Sequence, residues 1–311
     1  MGQIDNSTSL STALNAVFVG VRSVSEDHLA TVSYFSGTAP NLRLAAETGI
    51  GAPVAWDGAS DYEVTTVDTA FASTLEYSAY ALEARVPVHR AQESSQIVMN
   101  MNAKLGSETA ALRRSLIELK FAGIFSGTSM PGSKPVCSAT HPTLVGTRSN
   151  YTTSALDATS LAAMVASFRN WKTYEGTRND RSMAPKVLVV GLGLVETAKA
   201  LVQNAQVASA STNAMTPTLA NIYNITRVVY NFEMDSTDWA VVLEDEFAAM
   251  ANESGEVSGR LVSPVVAWDR EAPYFDAGVD PHNGAPWVAV RFALATGFGP
   301  VPEHIYGSNV G

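Results

Sequence analysis

The sequence lacks the charge density of an ordinary soluble protein. Only 16% of its 311 residues are Asp, Glu, Lys or Arg, whereas about 25% is usual in globular domains. Hydrophobic residues make up 46%, so the chain is able to fold around a sizeable core. Two interpretations fit this composition: surfaces that partner subunits cover, or a compact monomer with a Ser/Thr-rich exterior.

Cysteine and basic residues are scarce. A single cysteine, Cys137, excludes an intrachain disulfide. Twenty Lys and Arg stand against thirty Asp and Glu, which gives a net charge of −10. The first fifty residues contain only Arg22 and Arg43 as basic residues. Since phosphate binding needs clustered cations, the N-terminal region offers no basic arm for nucleic acid.

Long apolar runs are absent too. No run approaches the roughly 18 residues of a membrane span. The start, MGQIDNSTSL, has neither the basic region nor the apolar region of a signal peptide. We expect no membrane association, and an N-terminus that is not cleaved.

The first half of the chain predicts extended segments followed by a long helix. Residues 1–50 are polar and weakly periodic, which is typical of an arm that depends on neighbours. Residues 64–75 and 77–88 are strand-like and predict one long hairpin. Residues 92–125 predict a helix. Its apolar stripe consists of Ile97, Met101, Leu105, Leu112, Leu116, Leu119 and Phe125.

The second half predicts a mixture of helices and strands. After a loop over 130–154, a helix is opened by Asp157 or Ser160 and ended by Gly176. A turn-rich tail follows the last predicted strand. Since strands and helices do not alternate regularly, the pattern favours the α+β class. The remaining predicted elements are a helix over Leu194–Asn204 and strands over Lys186–Val190, Thr226–Tyr230, Trp239–Leu243, Val265–Trp268 and Trp287–Ala295.

The segment KVLVVGLGLVE, residues 186–196, looks like the start of a dinucleotide-binding turn. An apolar strand leads to Gly191-x-Gly193 and then to a helix. The third glycine position, however, is Glu196, whose carboxylate would repel a pyrophosphate and crowd the helix–strand contact. A nucleotide site at Gly191 and Gly193 is therefore disfavoured against a plain strand-to-helix turn.

Other candidate chemistry is weak. Cys137 and His141 lack the further ligands of a zinc site, and the orienting partner that a nucleophilic cysteine needs is not evident. We expect a buried cysteine beside a loop histidine. Two groups of carboxylates fit solvated turns better than acid–base pairs or a calcium loop: Asp57 with Asp61, and Glu244 with Asp245 and Glu246. We therefore expect no catalytic, cofactor or metal site.

Five segments in order carry a resemblance to a known family. They are VCSATHPTLVGTRSNYTT (136–153), SLAAMVASFRNWKTYEG (160–176), APKVLVVGLGLVETAKALVQ (184–203), NIYNITRVVYNF (221–232) and DSTDWAVVLED (235–245). Together they resemble the major capsid proteins of tailed bacteriophages, including the Mu-like head-subunit group. The resemblance departs from the family at GLGLVE, where other turn residues are usual.

The resemblance implies the Hong Kong 97-type capsid fold. The implied division is an N-terminal arm (1–50), an extended β-hairpin loop (51–90), a peripheral domain with a spine helix (91–150) and an axial domain (151–260). The C-terminal strands (261–311) are implied to return mainly to the peripheral domain.

The implied function is a non-enzymatic shell subunit of the virion, assembled in the host cytoplasm. Copies of the chain would form hexamers and pentamers around double-stranded DNA. Implied partners are a portal and a separate scaffolding protein, with a decoration protein as a further candidate. An encapsulin-like cellular compartment of the same fold and a nucleotide-binding enzyme remain as alternatives. Some shells of this fold carry a Lys–Asn crosslink from the extended loop, but the first lysine here is Lys104, so we expect no such crosslink.

Overall fold

The computed structural model describes most of the chain between residues 31 and 310. The described residues are 31–47, 69–87, 95–130, 132–143, 146–172, 178–203, 207–208, 215–216, 223–244, 250–251, 257–258, 263–299 and 301–310. The predicted helix start at residues 92–94, the acidic residues Asp57, Asp61, Asp245 and Glu246, and Gly176 lie outside them.

Three α-helices and seventeen strands are described, in a mixed order that confirms the α+β class. The helices are α1 (Ser95–Ala122), α2 (Ala158–Arg169) and α3 (Val195–Gln203). Short 3₁₀ turns cover Gly123–Phe125, Leu192–Leu194 and Pro302–His304. The strands are β1 (Ser33–Ser36), β2 (Leu42–Glu47), β3 (Thr69–Leu75), β4 (Ser78–Arg85), β5 (His141–Thr143), β6 (Gly146–Arg148), β7 (Tyr151–Thr152), β8 (Lys186–Val190), β9 (Val207–Ala208), β10 (Met215–Thr216), β11 (Ile225–Tyr230), β12 (Trp239–Leu243), β13 (Met250–Ala251), β14 (Val257–Ser258), β15 (Val265–Val279), β16 (Pro286–Phe298) and β17 (Ile305–Ser308).

A four-stranded sheet with the order β1-β15-β16-β4 supports the long helix α1. The strand β15 is much longer than the segment that the sequence predicted, because polar residues such as Asp269 and Glu271 interrupt its apolar pattern. The strand β16 extends its predicted segment by a few residues. Phe292 and Leu294 on β16 pack in one core with Ile117 and Phe121 of α1. Towards the start of the helix, Leu105 packs with Val288 and Val290.

The predicted hairpin between 64–75 and 77–88 is wrong. β3 pairs antiparallel with β2, and β4 pairs antiparallel with β16. The two adjacent strands therefore belong to different sheets. The hairpin that does form is β2–β3, joined through residues 48–68. The pairing partner of β4 lies about 200 residues along the chain, and local sequence carries no signal for so distant a register.

A five-stranded sheet with the order β11-β8-β12-β17-β7 forms the second half. β8 and β12 match their predicted bounds, since both are buried along their whole length. β17 lies in the tail that we expected to be turn-rich. One face of the sheet packs with Ile124 and Val136, and the other packs under Phe168 of α2 and Ala198 of α3.

Helix α2 is shorter than predicted. Asp157 caps it by accepting from the Ser160 N–H at 2.7 Å, and Ser160 Oγ accepts from the Asp157 N–H at 2.9 Å. This capping box uses both residues that the sequence offered. The helix ends at Arg169, with Asn170 as its C-cap. Trp171 is buried but lies beyond the helix.

The buried face of α1 differs from its predicted stripe. Leu105 is buried, whereas Leu112 and Leu119 are exposed. The face turned to this chain's own core includes polar residues, among them Thr109 and Glu118. The leucines at 112 and 119 therefore contribute to the outer surface and not to the core of this copy.

Candidate functional site

The glycine turn after β8 is filled by the chain itself. A Cβ atom on Gly191 would lie 1.9 Å from the carbonyl oxygen of Asp235, and one on Gly193 would lie 2.7 Å from that of Ser236. The Gly191 N–H donates to the Asp238 carbonyl at 3.0 Å. The glycines are needed because the 235–238 turn packs directly onto them. A phosphate approaching this backbone would meet that turn first.

The sheet around this turn also differs from a dinucleotide-binding sheet. β8 pairs parallel with β11 but antiparallel with β12. A dinucleotide fold needs a mostly parallel sheet wound with helices on both faces. The geometry supports the strand-to-helix interpretation of Gly191 and Gly193.

Cys137 and His141 are structural members of the 136–150 loop. Burial raises the pKa of the Cys137 thiol, so it stays protonated. Its sulfur packs where a Cβ atom on Gly307 would stand, 2.8 Å away. Burial likewise lowers the pKa of His141 to about 4, so the imidazole is neutral at pH 7. A buried thiol of high pKa is not a nucleophile.

Asn150 holds the loop together from its centre. Its Oδ1 atom accepts from the Ser138 N–H at 2.8 Å and lies 3.0 Å from His141 Nε2. Its Nδ2 atom donates to the carbonyl oxygens of Val136 and Pro302, both at 2.9 Å. Ser138, His141 and Asn150 of the 136–150 loop are thus joined by buried hydrogen bonds. Their spacing in the sequence does not predict this structural role.

The carboxylates that the sequence singled out form no described catalytic pair. Glu244 accepts from Thr226 Oγ1 at 2.7 Å and pairs with Arg227. Burial would raise the pKa of Glu244, but these two partners outweigh it and lower the pKa. Within the described ranges, no three His, Cys, Asp or Glu side chains come together as possible metal ligands. No helix in the described part of the chain is long and apolar enough to cross a membrane.

Two exposed apolar side chains, one on α1 and one just after β11, lie near the junction of α1 with the five-stranded sheet. Leu119 is 57% exposed and Phe232 is 51% exposed. The Arg114 guanidinium lies 4.8 Å from the centre of the Phe232 ring and bonds Glu118 at 2.5 Å. Side chains as apolar as these are typical of contact surfaces when they cluster.

A second exposed surface lies along the free edge of the four-stranded sheet. Its edge strand β4 leaves Leu82 52% exposed. A shallow hollow of about 430 Å³ opens there. It is lined by Ala81, Leu82, Glu83, Tyr274, Asp276, Ala289, Val290 and Arg291. An edge strand with exposed apolar side chains is a surface that neighbouring chains can cover.

Comparison with known proteins identifies the architecture. No family model matches the sequence, and no curated protein matches it. Solved structures match over nearly the whole chain. A virus-like particle from Pyrococcus furiosus matches with a TM-score of 0.51 and 10% identity, covering 98% of this chain and 100% of that one.

A phage capsid and the capsid of a GTA particle match with similar TM-scores. The mature capsid of bacteriophage PhiM1 matches with a TM-score of 0.52 and 12% identity, over 91% of this chain and 86% of that one. The capsid of a native GTA particle matches with a TM-score of 0.52 and 11% identity, over 91% of this chain and 90% of that one. The chain has the Hong Kong 97-type capsid fold, as its sequence resemblance implied.

Proposed function

We propose that this chain is the major capsid protein of a tailed bacteriophage. Copies of it form the hexamers and pentamers of an icosahedral shell that encloses double-stranded DNA. The observation that carries the proposal is the extent of the structural likeness, because the mature PhiM1 capsid covers 91% of this chain. The ordered sequence segments between residues 136 and 245 support the same assignment independently.

The physical character of the chain supports a structural role. The glycine turn, the buried cysteine and the loop histidine each have a packing explanation. Exposed leucines on α1 and the exposed edge strand β4 provide surfaces for contacts between subunits. We propose that the chain has no catalytic, cofactor or metal site, and that it holds DNA by enclosure and not by sequence-specific binding.

The division into five parts belongs to this proposal. The arm (1–50) and the extended loop (51–90) would contact neighbouring copies as well as this chain's own sheet, to which β1 and β4 belong. The peripheral (91–150) and axial (151–260) domains would build each capsomer. The strands β15 and β16 in 261–311 pack on α1, which supports their assignment to the peripheral domain. A portal and a separate scaffolding protein would act during assembly in the host cytoplasm, and a decoration protein is a further candidate partner.

Negative-stain electron microscopy of the purified full chain tests the proposal. Isometric shells, or rings of five and six subunits, are expected. A chain that stays monomeric at every concentration and salt level, as measured by light scattering after gel filtration, contradicts it. Gel filtration of the same sample separates soluble capsomers from aggregates, which electron microscopy alone does not.

An encapsulin-like compartment is the second candidate, since a virus-like particle from the cellular organism Pyrococcus furiosus is also similar in fold. The two functions differ in what the shell contains. Particles purified from their native source are expected to contain double-stranded DNA if the chain is a phage capsid protein. Particles that contain an enzyme cargo and no DNA would identify a compartment. A terminase or portal gene beside this gene would support the phage function.

A further inference from the structure

A cluster of basic side chains lies beside one edge of the five-stranded sheet. We call it the arginine patch, and it consists of Arg148, Arg169, Lys172, Arg178 and Arg181. These five residues are a quarter of the twenty Lys and Arg in the chain. The general shell function does not by itself account for such a concentration in a chain that is strongly acidic.

The patch is held in a defined arrangement. The Arg148 guanidinium lies 4.7 Å from the centre of the Trp171 ring, and its Nη1 atom donates to the Lys172 carbonyl at 2.6 Å. Arg178 Nε donates to the Arg169 carbonyl at 2.9 Å. These contacts fix two guanidinium groups before any partner arrives, which lowers the entropy cost of binding.

Positive charge is in excess here. Residues 169–181 contain four basic residues against Glu175 and Asp180, and Arg148 adds a fifth positive charge. Asp180 lies 3.8 Å from Arg178 Nη2. Five positive charges minus two negative charges leave +3 in a chain whose net charge is −10.

Exposed carboxylates lie on the opposite side of the same sheet, at the ends of β8 and β11. Glu233 and Asp235 lie in the turn that crosses the end of β8, and Glu196 lies in the first turn of α3, which follows β8. We call these three residues the acidic turn. The sheet order puts β7, which follows Arg148, at one edge and β11, which precedes Glu233, at the other. Five strands spaced about 4.8 Å apart separate the two edges by roughly 19 Å.

We propose that the arginine patch of one copy binds the acidic turn of a second copy within a capsomer. The proposal rests on the proposed shell function, of which it names one contact. Complementary charges on opposite edges of a domain fit a head-to-tail contact, and head-to-tail contacts close into rings. A charged contact of this kind sets the orientation and the rate of association. It also makes association depend on ionic strength.

The charge reversals Arg169→Glu and Glu196→Lys test the proposal, singly and combined. The side chains of Arg169 and Glu196 are both exposed. Capsomer and shell formation by the full chain is followed by light scattering and electron microscopy from 0.05 to 0.5 M NaCl. The matched control is Lys104→Glu, an exposed reversal on α1 with the same change of charge. Circular dichroism and thermal unfolding check that each variant is folded.

We expect each single reversal to raise the concentration needed for half-assembly at least tenfold at low salt. The double variant is expected to recover most of that loss, and the control to stay within threefold of the wild type. Wild-type assembly by folded Arg169→Glu overturns the inference, as does a double variant no better than either single one. A reversal that impairs only DNA retention assigns the patch to nucleic acid and also overturns it. If the wild-type chain itself never assembles, the proposed function has failed instead.

Discussion

His141 and Asn150 share a buried hydrogen bond. Its surroundings determine the orientation of both the Asn150 amide and the His141 imidazole. Asn150 Nδ2 faces two carbonyl oxygens, so Oδ1 is the atom that lies 3.0 Å from His141 Nε2. The other neighbour of Nε2 is the Val136 carbonyl at 3.1 Å. Because both neighbours are acceptors, Nε2 carries the proton. The pair joins the start and the end of the loop that resembles phage capsid proteins.

Removing the Asn150 amide should destabilise the chain strongly. Asn150→Ala leaves the Ser138 N–H and the Pro302 carbonyl without their buried partner. Unsatisfied buried groups cost about 1–3 kcal/mol each, so we expect a loss of about 3 kcal/mol in the free energy of unfolding. Urea denaturation followed by tryptophan fluorescence measures it. Ser149→Ala, at an exposed neighbouring position, should change little, and equal effects of the two variants would contradict the structural role of Asn150.

Because His141 is neutral in the folded chain at pH 7, we predict that the chain loses stability in acid. Burial lowers its pKa to about 4, from an ordinary value of 6.5. The unfolded chain therefore binds a proton at a higher pH than the folded chain does. The stabilisation from this site is complete above pH 6.5 and is lost as the pH falls towards 4.

Denaturation of the wild type and of His141→Gln at pH 7.5, 5.5 and 4.5 checks this dependence. Other groups titrate in the same range, so the difference between the two proteins is the informative quantity. We expect the advantage of the wild type over the variant to shrink as the pH falls. A difference that stays constant between pH 7.5 and 4.5 would show that His141 does not titrate as described.

Local sequence patterns predicted the bounds of those elements in which every residue has the same degree of burial. β12, and β8 after Lys186, are continuous apolar runs, and every residue of both strands is buried, so their bounds were predictable. The start of α2 was predictable because a capping box lies within four consecutive residues. The length of β15 was not, since its first five residues are buried and most of the others are exposed or half-buried.

The features that depend on contacts between distant segments, or between copies, could not be predicted from the sequence. β4 could be assigned as a strand, but its partner β16 lies too far along the chain to be inferred. The stripe on α1 combined residues of two faces, one turned to this chain's core and one exposed. Apolar spacing is the same for both, so sequence cannot tell a core from a subunit contact. The buried hydrogen bonds of Asn150 could not be predicted either, although Asn150 lies in the loop that resembles phage capsid proteins.

Asp269 is the buried anchor between α1 and the four-stranded sheet. It forms an ion pair with Arg113 of α1 and a hydrogen bond with Tyr34 of β1. Burial, together with this hydrogen bond, raises the pKa of Tyr34 to about 12, so Tyr34 acts as a donor. Asp269→Ala leaves the partly buried Arg113 and the Tyr34 hydroxyl without this carboxylate, and losing a hydrogen bond to a charged group costs about 1.5–3 kcal/mol.

Thermal and urea unfolding of Asp269→Ala should show a loss of that size. Asp276→Ala, on the same strand but exposed, is the control and should stay within about 0.5 kcal/mol of the wild type. Arg113→Met/Asp269→Leu removes both charges together, and we expect it to recover part of the lost stability. No loss in Asp269→Ala would contradict the anchoring role of this pair.

Gly191 should not tolerate even one methyl group. A Cβ atom there would overlap the Asp235 carbonyl, so Gly191→Ala must displace the 235–238 turn. Overpacking of this kind costs at least about 2 kcal/mol. Gly37→Ala is the control, because the nearest atom to its Cβ position is 3.8 Å away.

Neither NAD nor ATP should shift the unfolding temperature of the wild type. A saturable shift would indicate a nucleotide site after all.

The absence of lysine before Lys104 predicts a shell held together without covalent crosslinks from its extended loop. The extended loop (51–90) contains no lysine, and neither does β2, which pairs with β3 of that loop. An isopeptide bond from the loop or from β2 therefore has no amine donor. Mature particles boiled in detergent should run on a denaturing gel as a single band at the mass of one chain. Particles treated with glutaraldehyde give the positive control, a ladder that reports neighbouring copies. A ladder in the untreated sample would mean that a lysine outside the loop and β2, Lys104 or a later one, forms bonds between copies.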